Sequence, residues 1–583
     1  MDPIKVDFSR KGGSQKNTIV VPPEKAALKI VLSVVCTLAF AAILFYFMMP
    51  AINFKAYEFY LYLGINMIAY IVFSALFSKA ITKPEYMPYV KKQARIPGII
   101  IALLVLVVAI GFLVSSQFFR ANSYHQIMSV DEYGSDQFNK VVDVQEGRDT
   151  LENLPKLDDI ASNELASRAL GDLKDSGYVS QFKTSETSYQ INYNDNPVRV
   201  VPLEYADIIK WFYNTKEGIP GYVIVNVDDE DAKFIETDAK IRYSPAEHFG
   251  KLLKRHLRFE YPTYMFGEAN FEINEEGKPY WVCPILDKTI GLFGGTDVIG
   301  AVLVDANTGE CTELSIKEIK ENEEYNWIDR VYSSDLVVEQ FDFFGKYGEG
   351  FWNSILGQKG VVATTDGHNY VVKDDDVWLY TGVTSVTSDN SIVGFVLVNQ
   401  RTKETQYYRV SGGTESAAQS AAEGRVKDLG YTATFPILIN VGGEATYFMS
   451  LKDSKNIVQQ YALINVENYN KIGATGDDLT ECYNEYVLLY EKETEEDLEV
   501  EIETEPDEST DKELKEIEGA VTDIRTAVKG GESYYYIKIG EIYYVISASE
   551  DEDAIILNVG ENIKVSYYEA EGRIVAAEDI TIL

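Results

Sequence analysis

Histidine and cysteine are scarce, four of each in 583 residues, and each scarcity removes a class of chemistry. His125, His248, His256 and His368 stand in no His-Glu-x-x-His or comparable zinc spacing, so a histidine-built metal centre is not expected. His248 and His256 fall on one predicted helix, about 12 Å apart along its axis and about 80° apart around it, too far to share an ion. Four cysteines are too few for a disulfide framework, and Cys36 lies inside an apolar run. Cys283 and Cys311 fall on strands of one predicted module, where a pair and two buried thiols are both open. Basic residues are also few: 53 against 91 acidic ones gives a formal net charge of -38, which repels phosphates and excludes nucleic acid as an expected partner.

Local catalytic motifs are missing as well. Ser354, in Phe351-Trp352-Asn353-Ser354-Ile355-Leu356-Gly357, lacks the Gly-x-Ser-x-Gly elbow and reads as a structural serine. Gly294-Gly295-Thr296 and Gly412-Gly413-Thr414 match neither a P-loop nor a dinucleotide fingerprint and read as turn glycines. Asp374-Asp375-Asp376 alternates between two faces of a strand, so it reads as a solvated hairpin edge and not as a cation site. No catalytic residue, cofactor or metal ligand follows from the sequence, and a noncatalytic protein is expected.

What the chain does contain begins with three long apolar runs, Ile30 to Met49, Phe59 to Phe77 and Ile99 to Phe118. Each is about 19 to 20 residues, enough for a hydrocarbon core of about 30 Å. Three spanning helices are expected within 26–120, after a tail at 1–25. Lys5, Arg10, Lys11, Lys16 and Lys25 precede the first run, and Lys79, Lys83, Lys91, Lys92 and Arg95 separate the second from the third. The first connection offers only Lys55. Basic residues are retained on the cytoplasmic side, so a multi-pass cell-membrane protein with its N-terminus inside and its large C-terminal part outside the cytoplasm is expected.

The outer part repeats itself. Ile191-Asn192-Tyr193-Asn194-Asp195-Asn196-Pro197-Val198-Arg199-Val200-Val201-Pro202 aligns without a gap on Ile273-Asn274-Glu275-Glu276-Gly277-Lys278-Pro279-Tyr280-Trp281-Val282-Cys283-Pro284, and Ile439 to Tyr447 is a third version. All three read as strand, tight turn, strand. An apolar strand ending in Asp or Asn follows at 221–226, 300–305, 394–399 and, more weakly, 461–465. Apolar residues at helical spacing precede the hairpins: Leu165, Ala169, Leu170 and Leu173; Phe249, Leu252, Leu253 and Leu257; Ala418, Ala421, Ala422 and Val426. Four α+β units, each a helix on a small antiparallel sheet, are expected at 121–245, 246–332, 333–412 and 413–490. The third is the divergent copy, with its hairpin at Asp366-Gly367-His368-Asn369. Units of this size have modest cores, so an elongated or paired array is expected.

The order helix, strand, strand, strand with Val304-Asp305-Ala306-Asn307-Thr308-Gly309-Glu310 resembles the PepSY domain, chiefly over 245–316. The whole chain is similar to a family of membrane-anchored proteins from Gram-positive bacteria through Gly357-Gln358-Lys359-Gly360 and Phe395-Val396-Leu397-Val398, a family with no established activity. These resemblances imply a noncatalytic module outside the membrane, directed at a peptide or protein.

The stretch 491–512 is dense in Asp and Glu around Pro506 and reads as an extended acidic linker. Beyond it, 513–583 holds about five short strands, at 519–521, 534–539, 542–546, 563–567 and 573–580, spaced for a small closed β-barrel that looks like an OB-fold. One surface candidate stands out: Phe341, Phe343, Phe344, Tyr347, Phe351 and Trp352, interrupted by Gly345, Gly348 and Gly350. Core packing and a partner-binding surface are both open for it. The expected function is a membrane-anchored extracytoplasmic binding or regulatory protein that engages an envelope protein or peptide. An envelope hydrolase or peptidase-associated factor without a local motif stays open, as does an accessory subunit of a transport or secretion complex. The oligomeric state is not legible.

Overall fold

The apolar runs form three helices long and apolar enough to cross a membrane: α1 (Ala26–Met48), α2 (Tyr57–Ser78) and α3 (Arg95–Ser115). The computed structural model describes residues 21–134, 154–173, 177–194, 196–227, 231–373, 375–386, 391–494, 514–529, 532–540, 542–547, 553–568 and 574–583. The basic residues before position 21 and most of the acidic linker lie outside the described residues. The third span ends at Ser115, not at Phe118. Ser116 turns extended (ψ 145°), and a separate helix α4 (Gln117–His125) carries Phe118 away.

After β1 (Asp131–Tyr133), the chain builds four small sheets. Sheet I follows α5 (Asp159–Gly171). It contains β2 (Phe182–Thr184), β3 (Tyr189–Tyr193), β4 (Asn196–Tyr205), β5 (Ile219–Asn226) and β6 (Ala232–Ile241), with α6 (Ile208–Asn214) between β4 and β5. Sheet II follows α7 (Leu253–Glu260) with β7 (Met265–Phe266), β8 (Asn270–Ile273), β9 (Pro279–Ile290), β10 (Gly294–Asp305) and β11 (Cys311–Ser315). Sheet III follows α8 (Ser334–Tyr347) with β12 (Val362–Thr364), β13 (Asn369–Lys373), β14 (Asp376–Ser385), β15 (Ser391–Asn399), β16 (Thr405–Tyr408) and β17 (Gly412–Gly413). Sheet IV follows α9 (Glu415–Arg425) with β18 (Thr432–Ala433), β19 (Ile437–Val441), β20 (Glu444–Lys452), β21 (Val458–Asn465) and β22 (Gly473–Gly476), and is covered by α10 (Leu479–Thr494).

One pairing scheme recurs in all four. Two short strands pair in succession with one edge of a long strand, which pairs with a second strand and that with a third: β2 and β3 on β4, β7 and β8 on β9, β12 and β13 on β14, β18 and β19 on β20. The aligned Ile-Asn motifs supply the hairpins β3–β4, β8–β9 and β19–β20, as their turn chemistry requires. In sheet III the hairpin is not at 366–369. It turns between Lys373 and Asp376, with Asp375 at φ +65°, and 366–369 merely joins β12 to β13. Asp374 lies outside the described residues.

Alternation along β9 and β10 lets sheet II serve two cores. Trp281, Cys283, Val302 and Val304 face Val200 and Tyr222 of sheet I. Val282, Ala301 and Leu303 face Phe341, Leu379 and Val398. Ring contacts between Phe395 and Tyr447, 6.0 Å apart, tie sheet III to IV. The Ser450 hydroxyl donates to the Lys156 carbonyl at 2.6 Å, returning sheet IV to the start of sheet I. The units therefore close on one another and do not string out.

One end of the helix bundle docks on this assembly. The Arg255 Nε donates to the Tyr46 carbonyl at 3.3 Å and the Arg258 Nε to the Met49 carbonyl at 3.1 Å, satisfying carbonyls that α1 leaves unpaired at its C-terminus. Lys55 pairs with Asp287 at 2.7 Å. At the β9–β10 tip, the backbone N–H groups of Leu292 and Phe293 both donate to the Ser115 hydroxyl, at 2.8 and 2.9 Å.

Residues 502–583 form a second unit. Its strands, β23 (Leu514–Ala520), β24 (Asp523–Lys529), β25 (Glu532–Ile539), β26 (Ile542–Ser547), β27 (Asn562–Tyr568) and β28 (Ile574–Ile582), form one ladder ordered β23-β27-β28-β26-β25-β24. The expected closed barrel is not formed by hydrogen bonds. β23 and β24 are its two open ends, because the first strand breaks at Val521-Thr522, whose N–H groups turn to the Glu561 and Lys538 carbonyls.

Candidate functional site

The aromatic set divides. Phe341 is fully buried against Tyr407, and Tyr347 is buried with its hydroxyl on Gln117 Oε1 at 2.5 Å. Phe343, Phe344 and Phe351 are half-buried, stacked or edge-on against Tyr124, His125 and Phe118 of α4. Trp352 alone is open, at 63 % exposure, with its ring edge-on to Phe118. Five of the six thus seat α8 and the turn after it on the helix leaving the third span.

The other sequence candidates are placed as follows. His248 and His256 do not share a helix: Phe249 takes φ +52° and Leu252 ψ 117°, so only His256 belongs to α7, where Nε2 lies 2.7 Å from the Gly309 carbonyl. Ser354 is buried and donates to the Phe351 carbonyl at 2.7 Å, a structural serine. Asp376 is not solvated. It forms a two-pronged ion pair with Arg401, Nε–Oδ1 2.5 Å and Nη2–Oδ2 2.8 Å, behind side chains only 8 and 12 % exposed. Cys283 and Cys311 are free thiols on the strands flanking β10, two strand spacings or about 10 Å apart, beyond the reach of a disulfide.

Residues that sequence reasoning passed over converge elsewhere. A strap at 328–332 crosses the centre of the assembly and is bonded on three sides. The Glu272 carboxylate accepts the backbone N–H groups of Asp329 and Arg330, at 2.8 and 3.0 Å. Asp329 Oδ2 accepts the Asn192 N–H of sheet I at 2.6 Å. The N–H groups of Val331 and Tyr332 both reach the Gln400 carbonyl. Fixed in this way, Arg330 lines a cavity of about 450 Å³ that takes residues from all four units: Ser188 and Arg199 from sheet I, Asn270 from II, Tyr370 from III, Phe435 from IV.

Its wall holds two buried guanidiniums. Arg330 donates to the Tyr370 hydroxyl at 2.6 Å, and that oxygen also meets Ser334 Oγ and, at 3.4 Å, His368 Nε2. Arg199 donates to Ser188 Oγ at 3.1 Å and Gln190 Oε1 at 3.2 Å. Their charge is only partly matched, since buried Glu272 acts on Arg330 through its charge without forming an ion pair. Arg199 meets one carboxylate, the exposed Asp159, at 3.3 Å. Arg330 makes no side-chain ion pair among the described residues, and the Nε of each arginine is buried with no hydrogen-bond partner. Burial pulls Arg199 below its ordinary value and Asp159 raises it again, while nearby Arg330 lowers it. Burial, reinforced by Arg330, lowers His368 too, so its imidazole is neutral at neutral pH. Asp159, Glu268 and Asp335 stand among the lining residues as exposed carboxylates, and half-buried Asp158 is paired with Lys452.

One signal in the sequence pointed here: Arg199 is the lone charge in Pro197-Val198-Arg199-Val200-Val201-Pro202. Burying such a charge costs several kcal/mol on the order of a mutational estimate unless it is paired. No protein-family model matches this chain, and no curated protein matches it by sequence.

Proposed function

We propose that this chain is a membrane-anchored extracytoplasmic binding or regulatory protein that holds a carboxylate-bearing peptide, or a peptide segment of an envelope protein, in the cavity between its four sheets. The observation that carries this reading is the pair of buried, under-compensated arginines, Arg199 and Arg330, on one cavity wall. Arginine suits carboxylate because its planar fork matches two oxygens. Ser188, Ser334 and Tyr370 add hydroxyls, and Glu268 and Asp335 suit an ammonium or a lysine elsewhere on the same peptide.

The extracytoplasmic placement rests on the basic connection Lys79 to Arg95, at the opposite end of the spans from the large domain, whereas the first connection, on the domain side, offers only Lys55, which is paired. The PepSY-like reading of the repeats rests on their shared pairing scheme. The OB-like reading of the C-terminal unit rests on its strand order and its one parallel pair, β26 with β28.

Calorimetric titration of the full chain in detergent with short peptides, each as free acid and as C-terminal amide, tests the proposal. The acids are expected to bind, and the amides to bind at least about tenfold more weakly, since a charged hydrogen bond contributes about 1.5–3 kcal/mol. Arg330→Met abolishes the difference. Equal affinity for acid and amide, or no binding of either, overturns the reading.

A further inference from the structure

A second surface lies beside the membrane-capable helices. In α6, Asp207 caps the N-terminus by accepting the N–H groups of Ile209 and Lys210, at 2.8 and 2.9 Å. One side of the helix is clamped: the Trp211 indole donates to Glu247 at 2.8 Å, and the fully buried Glu247 also accepts the Tyr205 hydroxyl at 2.6 Å. The other side carries Ile208, Ile209, Phe212 and Tyr213, one and four residues apart and therefore on one face. All four are open to solvent, Phe212 at 73 % and Tyr213 at 78 %. A rigid helix presenting four large apolar side chains outward is an interaction surface, not a packing accident.

Its position identifies what covers it. Trp211 packs on Phe249, 5.8 Å between rings, and Phe249 is itself exposed. The Arg255 guanidinium donates to the Phe249 carbonyl at 2.7 Å and to the Tyr46 carbonyl in the last turn of α1, while lying 4.1 Å over the Tyr46 ring. Phe249 is thus within the span of one guanidinium of the end of α1. At 23 residues, α1 is about 35 Å long, so a hydrocarbon core of about 30 Å ends near that last turn. Through Trp211 and Phe249 the apolar face of α6 adjoins that level, and Lys216 and Lys251 flank it in sequence.

We propose that Ile208, Ile209, Phe212, Tyr213 and Phe249 insert into the headgroup–acyl boundary of the bilayer that α1, α2 and α3 cross, making α6 an interfacial foot that fixes the tilt of the large domain over the membrane. Short amphipathic segments with aromatic and aliphatic residues on one face bury that face about 5–10 Å into this boundary, and tyrosine suits it because its ring is apolar and its hydroxyl wet.

The full chain reconstituted in vesicles of phosphatidylcholine and phosphatidylglycerol provides the test. Phe212→Cys and, as control, the exposed Asp428→Cys are made in a background carrying Cys36→Ser and Cys311→Ser, and each is labelled with an environment-sensitive fluorophore. The buried Cys283 and Cys482 are left in place, and matching thermal melts confirm the fold. The label at 212 is expected to be quenched several-fold more by lipids bearing a nitroxide near the headgroup than the label at 428, and several-fold less by aqueous iodide. Iodide quenching at 212 equal to that at 428 overturns the proposal, because the face is then in water. Protection from both quenchers also overturns it, because a protein surface then covers the face.

Discussion

The carboxylate of Glu272 accepts the backbone N–H of Arg330 at 3.0 Å, and through this bond a strand of sheet II fixes an arginine that serves the cavity between all four sheets. Neighbouring Asp329 is as deeply buried as Glu272. The two carboxyls therefore share an interior that cannot hold two bare charges.

Burial raises Glu272 to about 7, and burial together with Glu272 raises Asp329 well above the ordinary carboxylate range. Glu272 spends both oxygens on backbone N–H groups, which favours its ionised form, whereas Asp329 Oδ1 has no partner, so Asp329 is the natural holder of the proton. A folded value raised above the unfolded one means that the native state keeps a proton the unfolded chain has released. The associated stability is fully present below the ordinary carboxylate range and is lost as pH rises from that range through the raised values of the pair. Thermal melts of the wild type should fall between roughly pH 5 and pH 8, and Asp329→Asn should flatten that fall. An unchanged slope in the variant would place the proton elsewhere.

Much of this architecture was legible because it rests on local rules. The three spans follow from apolar length, and the hairpins at 191–202, 273–284 and 439–447 from turn residues between alternating strands. What was not legible depends on tertiary partners. The third span stops at Ser115, where Ser116 turns extended and the Ser115 hydroxyl accepts the Leu292 and Phe293 backbone N–H groups, nearly 180 residues away. Asp376 reads as solvated in Asp374-Asp375-Asp376 and is buried only because Arg401 returns to it from the end of β15. The cavity arginines come from a strand of sheet I and from the strap at 328–332, and no local spacing announces them.

The Asp376–Arg401 pair gives a direct stability test. Asn399 Nδ2 also donates to Asp376 at 2.8 Å, and Arg401 Nη1 to the Ile319 carbonyl at 3.1 Å. Asp376→Ala leaves a buried guanidinium unpaired and should cost about 3–5 kcal/mol in denaturant unfolding. Adding Arg401→Met should recover most of that loss, because no bare charge then remains. A double variant as unstable as the single one would show that the pair contributes through packing alone.

Cys283 and Cys311 offer a chemical check on sheet II. Burial raises both thiols, Cys311 to about 11, so neither is a ready nucleophile. After exposure to a mild oxidant and denaturation in its absence, the protein should still titrate all four of its thiols. Loss of two would mean that β9 and β11 approach one another more closely than the intervening β10 permits.

The last test concerns how the spans hold the large domain. Phe293, at the β9–β10 tip, is buried against Phe112 at 5.0 Å and Tyr60 at 5.8 Å, and its ring lies directly over Gly111 of α3. A side chain at 111 would overlap that ring, which explains a glycine in an otherwise bulky span by close approach. Gly111→Val should therefore push the hairpin tip out, at a cost of about 1–3 kcal/mol for overpacking. The readout is a lower melting temperature together with faster proteolysis within 288–296. Phe293→Ala in the same chain makes room for the valine and should restore protease resistance, whereas Phe293→Ala alone leaves a void and should weaken it. If Gly111→Val melts and resists protease like the wild type, the tip does not seat on α3, and the Arg255, Arg258 and Lys55 contacts must hold the domain to the spans.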